Sequence, residues 1–146
     1  MTEVPSSRER ALIAARAADE KKATDIMVQE VRELISVTDY FVIATAANNR
    51  QVQAIIDEIE EKVRTLGGVK PLHREGVEDG TWALLDYGEF VVHVFQPETR
   101  EYYRLEALWN DAPLIDLSQE EGFTDMVYSD RIAKLISPPR GVSTQQ

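Results

Sequence analysis

The chain has no cysteine among its 146 residues, which excludes disulfides and thiolate metal sites. Its two histidines, His73 and His93, fall on separate predicted strands without further clustered ligands, a poor basis for a metal centre. No stretch reaches the 18 or so apolar residues of a membrane span. The N-terminal residues also lack the apolar core of a secretory signal, so a cytoplasmic protein with no membrane partner is expected. Basic residues are scarce: 16 Lys and Arg face 26 Asp and Glu, giving a net charge of −10 and a pI near 4.7. Nucleic-acid binding draws its affinity from cations neutralising phosphates, so no direct sequence-specific nucleic-acid partner is expected. Neither GxGxxG nor GxxxxGK[ST] occurs, and no cofactor is expected.

What is present suits one α/β domain. Hydrophobic residues make up 43% of the chain, enough to bury a single core. Ser6 with Glu9 reads as a capping box opening a helix that ends near Lys21–Lys22, with a narrow apolar stripe of Leu12, Ala15 and Ala18. DIMVQ (25–29) is a strand candidate. DYFVIATA (39–46) is the strongest one, nearly continuous in apolar and β-favouring residues as a central strand covered on both faces should be. Asn48 or Asn49 then opens a helix whose Val52, Ile55, Ile56, Ile59, Val63 and Leu66 form one face, and Gly67–Gly68 ends it. Residues 70–74 suggest a third strand. WALLDY (82–87) and FVVHVFQ (90–96), separated by Gly88–Glu89, read as an antiparallel hairpin. Residues 98–109 are expected to form one last helix with Tyr102, Leu105, Leu108 and Trp109 on one side. The resulting order, α-β-β-α-β-β-β-α, predicts a mixed four- or five-stranded sheet flanked by helices. Residues 1–117 form the domain. Residues 118–146 read as a C-terminal extension, partly disordered through SPPRGVSTQQ (137–146), and removable without loss of the fold. The acidity lies in the domain: 22 acidic and 13 basic residues in 1–117 leave a net of −9.

Material for catalysis is thin. The serines stand near predicted element ends or in the tail, and His93 sits mid-strand, where a structural role is the commoner one. The serious enzymatic alternative is a nucleotidyltransferase-fold enzyme acting on nucleotides, since the strand, loop and helix FVIATAANNRQVQAI could aim helix-terminal N–H groups at a triphosphate. Such chemistry needs paired carboxylates holding metal ions, and strand alternation requires them two residues apart. Asp86 stands alone, between Leu84 and Gly88. What remains is protein contact: Trp82, Tyr102, Tyr103 and Trp109 stand near carboxylates, as interface aromatics do. Core packing suits Trp109 and one of the two tyrosines equally, since residues 102 and 103 lie about 100° apart on a helix and at most one points fully inward. Periodicity leaves this open.

Two segments carry a resemblance. TDYFVIATAANNRQVQAIIDEIEEK (38–62) is similar to the strand, small loop and N/S-x-R-x-V-x-x-I helix of the Iojap family. The second, EGVEDGTWALLDYGEFVVHVFQPETREYYRLEALWNDAP (75–113), resembles its other hallmark at Glu75, Gly76, Trp82, Asp86, Gly88, Glu89, Val92, His93, Arg100, Tyr103, Leu105, Glu106, Leu108 and Trp109. The loop Ala46–Asn49 departs from the Gly and Ser common in the family, and the tail from Ser118 has no evident counterpart. The resemblance implies a ribosomal silencing factor, with a nucleotidyltransferase-like scaffold but no enzymatic activity. It implies binding to the large ribosomal subunit through universal large-subunit ribosomal protein fourteen, which blocks subunit association and represses translation. By analogy and placement the partner-binding residues are Trp82, Asp86, Glu89 and Tyr103, with Glu75 and Tyr102 at the margin. His93 and Trp109 are assigned to structure. An exposed sheet edge or the last helix would support a homodimer.

Overall fold

Ser6 opens the first helix, α1 (Ser7–Glu20). Its Oγ accepts the Glu9 N–H at 3.1 Å while the Glu9 carboxylate accepts the Ser6 N–H at 2.9 Å. The computed structural model describes residues 4–136, so the disorder expected of 137–146 lies outside the described residues. The buried surface of α1 is far broader than the expected stripe, with Ala11 to Ala15, Ala17, Ala18 and Asp19 all buried. The helix is enclosed by the sheet, by the second helix and by the C-terminal segment, which reaches it where Asp19 accepts from the Thr124 N–H at 2.8 Å.

Five strands follow the expected order: β1 (Thr24–Glu30), β2 (Tyr40–Thr45), β3 (His73–Glu75), β4 (Trp82–Asp86) and β5 (Phe90–Phe95). They align as β1-β2-β5-β4-β3, with β2 and β5 parallel and the other pairs antiparallel. The sheet is therefore mixed and five-stranded. All six residues of β2 are buried, which is why that segment is nearly continuous in apolar residues. Helix α2 (Asn49–Gly67) starts at Asn48, whose side chain accepts the Gln51 N–H, and stops at left-handed Gly68. Val52, Ile55, Ile56, Ile59 and Val63 are buried as expected. Leu66 is instead 62% exposed, because the last inward place is taken by Gly67, packed against Arg10 and Ile13.

Alternation divides the sheet into two faces. One carries Ile26, Val28, Val42, Ala44, Leu85 and Val92 into the main core with α1 and α2. The other carries Phe41, Ile43 and Phe95 against Leu105 and Trp109 in a smaller core.

The cover of that second face corrects the expectation of one helix over 98–109. The segment is two short helices, α3 (Pro97–Tyr103) and α4 (Leu105–Leu108), broken at Arg104 with φ +49°. On a straight helix residues six apart lie about 120° from each other around the axis. The break lets Arg100 and Glu106, both fully buried, approach to 3.3 Å. Tyr102 and Leu108 are consequently left 79% and 69% exposed instead of sharing an inward side with Leu105 and Trp109.

The chain then lines the outer edge of β1: the Glu30 N–H donates to Pro113 O, the Ile115 N–H to Val28 O and the Asp25 N–H to Val127 O. Within 118–136, the described part of the expected extension, Tyr128 donates to Ile26 O at 2.8 Å. Helix α5 (Asp130–Ile136) buries Ile132 completely, and Arg131 pairs with Glu101 and Glu106. Among the described residues no helix is long and apolar enough to cross a membrane.

Candidate protein-binding face

Alternation on β4 puts Ala83 and Leu85 into the main core and leaves Trp82, Leu84 and Asp86 half-buried on the second face. The β4–β5 register sets them opposite Phe95, His93 and Val91 in turn. Helices α3 and α4 cover this face towards β2, while the β4 side is partly open.

The Trp82 indole stacks on Phe95 with centroids 4.7 Å apart and packs against Tyr103 at 4.8 Å. Tyr102 meets Tyr103 edge-on at 4.9 Å. Phe95 is buried, Trp82 half-buried, Tyr103 54% exposed and Tyr102 79% exposed. These four rings form a ladder from core to solvent, so an outer contact would bear on an inner ring already held in place. Beside the ladder, Pro97, Glu98, Glu101 and Tyr102 line a shallow hollow. Glu75 is exposed on β3 opposite Leu84, and so lies on the same face.

Asp86 shares the face but is engaged locally: its carboxylate accepts the Gly88 N–H at 2.8 Å and shapes the β4–β5 turn. Glu89 is not brought to the ladder. It lies in that turn, four or more steps of about 3.4 Å each from Trp82, and pairs at 2.8 Å with Arg10 of α1, the helix covering the opposite face. The structure thus joins Trp82, Tyr103, Tyr102 and Glu75, keeps Asp86 at their far end, and separates Glu89. Leu84, half-buried between Trp82 and Asp86, adds apolar surface to this face. Period-two spacing from Trp82 signals it.

His93 lies beneath the ladder, 5% exposed, with Phe41 edge-on at 5.1 Å. Its Nδ1 accepts the Trp82 indole N–H at 3.1 Å. Burial pushes its pKa down to about 4, so the ring is neutral at physiological pH. Trp109 packs edge-on against Phe41 at 6.4 Å, so both residues assigned to structure sit in the second core or at its border.

At the Ala46–Asn49 loop, the Ala47 N–H donates to Gln51 Oε1 at 2.6 Å, and Gln51 Nε2 reaches Lys21 O and Lys22 O at 3.0 Å. Gln51 of α2 thereby ties the Ala47 N–H of the loop to the end of α1. Among the described residues, no three His, Asp or Glu side chains converge as metal ligands.

The family model for "Ribosomal silencing factor during starvation" matches residues 4–134. This chain belongs to that family. The match runs through the C-terminal segment and α5 almost to its end. Among relatives, the ribosomal silencing factor RsfS of Bacillus subtilis is 44% identical over 105 residues, 72% of this chain and 88% of that protein. The mouse protein named "Mitochondrial assembly of ribosomal large subunit protein 1" is 36% identical over 95 residues, 62% of this chain but 40% of its own length. A crystal structure of a Chromobacterium violaceum protein superposes with a TM-score of 0.68 at 36% identity, covering 74% of this chain and 87% of that one. A ribosomal silencing factor has a regulatory role, which fits a site made of rings and carboxylates.

Proposed function

We propose that this protein binds the large ribosomal subunit through universal large-subunit ribosomal protein fourteen, sterically blocks subunit association and so represses translation. The observation that carries this reading is the ladder Phe95–Trp82–Tyr103–Tyr102, rooted in the core and open at its outer end. Aromatic side chains with buried roots are typical anchors of protein interfaces. A net charge of −10 favours a basic protein partner and speeds encounter with it through long-range attraction. The mouse relative's name supports the large subunit as the target.

Steric block requires no catalytic group, only an occupied surface of roughly 600–800 Å² per partner. On this reading Trp82 and Tyr103 are the anchors, Leu84 and Tyr102 extend them, and Glu75 and Asp86 supply charge. Glu89 acts through the turn it braces.

Sedimentation with separated ribosomal subunits tests the proposal. Co-migration with the large subunit alone, lost on competition with purified ribosomal protein fourteen, is the expected result. Migration with the small subunit, or with neither, would overturn it.

A further inference from the structure

We propose that His93 is a positioning residue for the binding face: its Nδ1 accepts the Trp82 indole N–H and fixes the angle at which that ring meets the partner. The inference rests on the reading that Trp82 contacts the ribosome.

An indole has one N–H to donate and no acceptor. The 3.1 Å contact therefore requires a lone pair on His93 Nδ1 and a proton on Nε2. Trp82 lies opposite Phe95, and His93 opposite Leu84, so the bond runs diagonally across the hairpin, within reach of a large ring. The imidazole is held in turn by Phe41, edge-on at 5.1 Å, and by Phe95, near-parallel at 6.2 Å. Trp82 is thus gripped on two sides by packing and at its polar atom by a fixed acceptor. An anchor held in its bound orientation loses less freedom on association.

The opposite nitrogen makes the case that this histidine serves more than packing. Nε2 is buried and has no hydrogen-bond partner among the described residues. A buried donor left unmade is unfavourable, and an apolar side chain between Phe41 and Phe95 would avoid it. What imidazole adds to this position is the acceptor for Trp82. The two roles therefore separate: removing the imidazole should leave stability intact or raised, yet weaken binding.

The test compares His93→Leu, His93→Asn and Trp82→Ala in the full chain, by urea unfolding and by affinity for purified large subunits. Indole fluorescence is read in a Trp109→Phe background. His93→Leu is expected to unfold at no lower urea than the parent and to bind roughly tenfold more weakly, with red-shifted Trp82 emission. His93→Asn, whose Oδ1 stands close to the lost Nδ1, should restore most of the affinity and the parent emission. His93→Phe replaces the leucine variant if the latter fails to fold. Parent-like binding by folded His93→Leu, alongside weak binding by folded Trp82→Ala, would overturn the role of His93 alone. Parent-like binding by folded Trp82→Ala would overturn the interface reading, and this inference with it.

Discussion

Arg100 Nε lies 3.3 Å from Glu106 Oε1, with both side chains shut off from solvent. Arg100 also donates to Thr45 Oγ1 at 2.9 Å and to Asp25 O, so one guanidinium joins α3, α4, β2 and the start of β1. Arg131 brings α5 to the same carboxylate. Taking charges out of water is costly, and losing one partner leaves the other uncompensated. Glu106→Ala is therefore expected to cost about 3–5 kcal/mol in urea unfolding. The double substitution Arg100→Met with Glu106→Leu should cost less than the sum of the single ones. Additive losses would mean that the pair is not coupled.

The C-terminal segment is the next test. Reading the sequence alone, 118–146 is removable. The contacts of Thr124, Tyr128, Arg131 and Ile132 instead make it a strap across α1 and β1. Burial of Ile132 alone stabilises by about 1.5–3 kcal/mol. Deleting 118–146 should lower the urea midpoint and increase proteolysis at β1. An unchanged midpoint would show the strap to be dispensable.

Charge should act unequally around the face. Glu75 lies exposed beside the ladder, whereas Glu89 is tied to Arg10. Glu75→Lys is expected to slow association with large subunits several-fold, more so at low salt. Glu89→Lys should chiefly lower stability, by about 1 kcal/mol. Rapid-mixing kinetics at two salt concentrations separates the two. A larger salt-dependent association defect for Glu89→Lys would place Glu89 in the interface.

Acid should reach His93 in a defined window. Its pKa falls from 6.5 to about 4 on burial, and the rings touching it, Trp82, Phe41 and Phe95, do not titrate. Between these values the unfolded chain holds more protons than the folded one. Stability is therefore full above pH 6.5 and is lost as pH falls towards 4, by up to about 3 kcal/mol. His93→Leu should flatten this part of the pH–stability curve. An unaltered slope would assign the acid sensitivity to other groups.

Much of the frame was legible because it obeys local rules. The Ser6–Glu9 box, the Asn48 cap, the Gly67–Gly68 stop, buried β2 and the β4–β5 hairpin each follow from residues close together in the chain. The family, too, could be seen from the spacing of residues 75–109. Tertiary structure alone decided where the last helix breaks, which aromatics stay exposed, and that residues 118–136 pack on the body. It also decided that Trp82 and His93 share a hydrogen bond while Glu89 turns away to Arg10. Each of these depends on partners far apart in sequence: Arg100 with Asp25, Arg131 with Glu106, Glu89 with Arg10. Periodicity reports which side of an element is apolar. Where a buried charge finds its counter-charge is set by the packing of whole elements, and here that pairing bends the helix and opens the face.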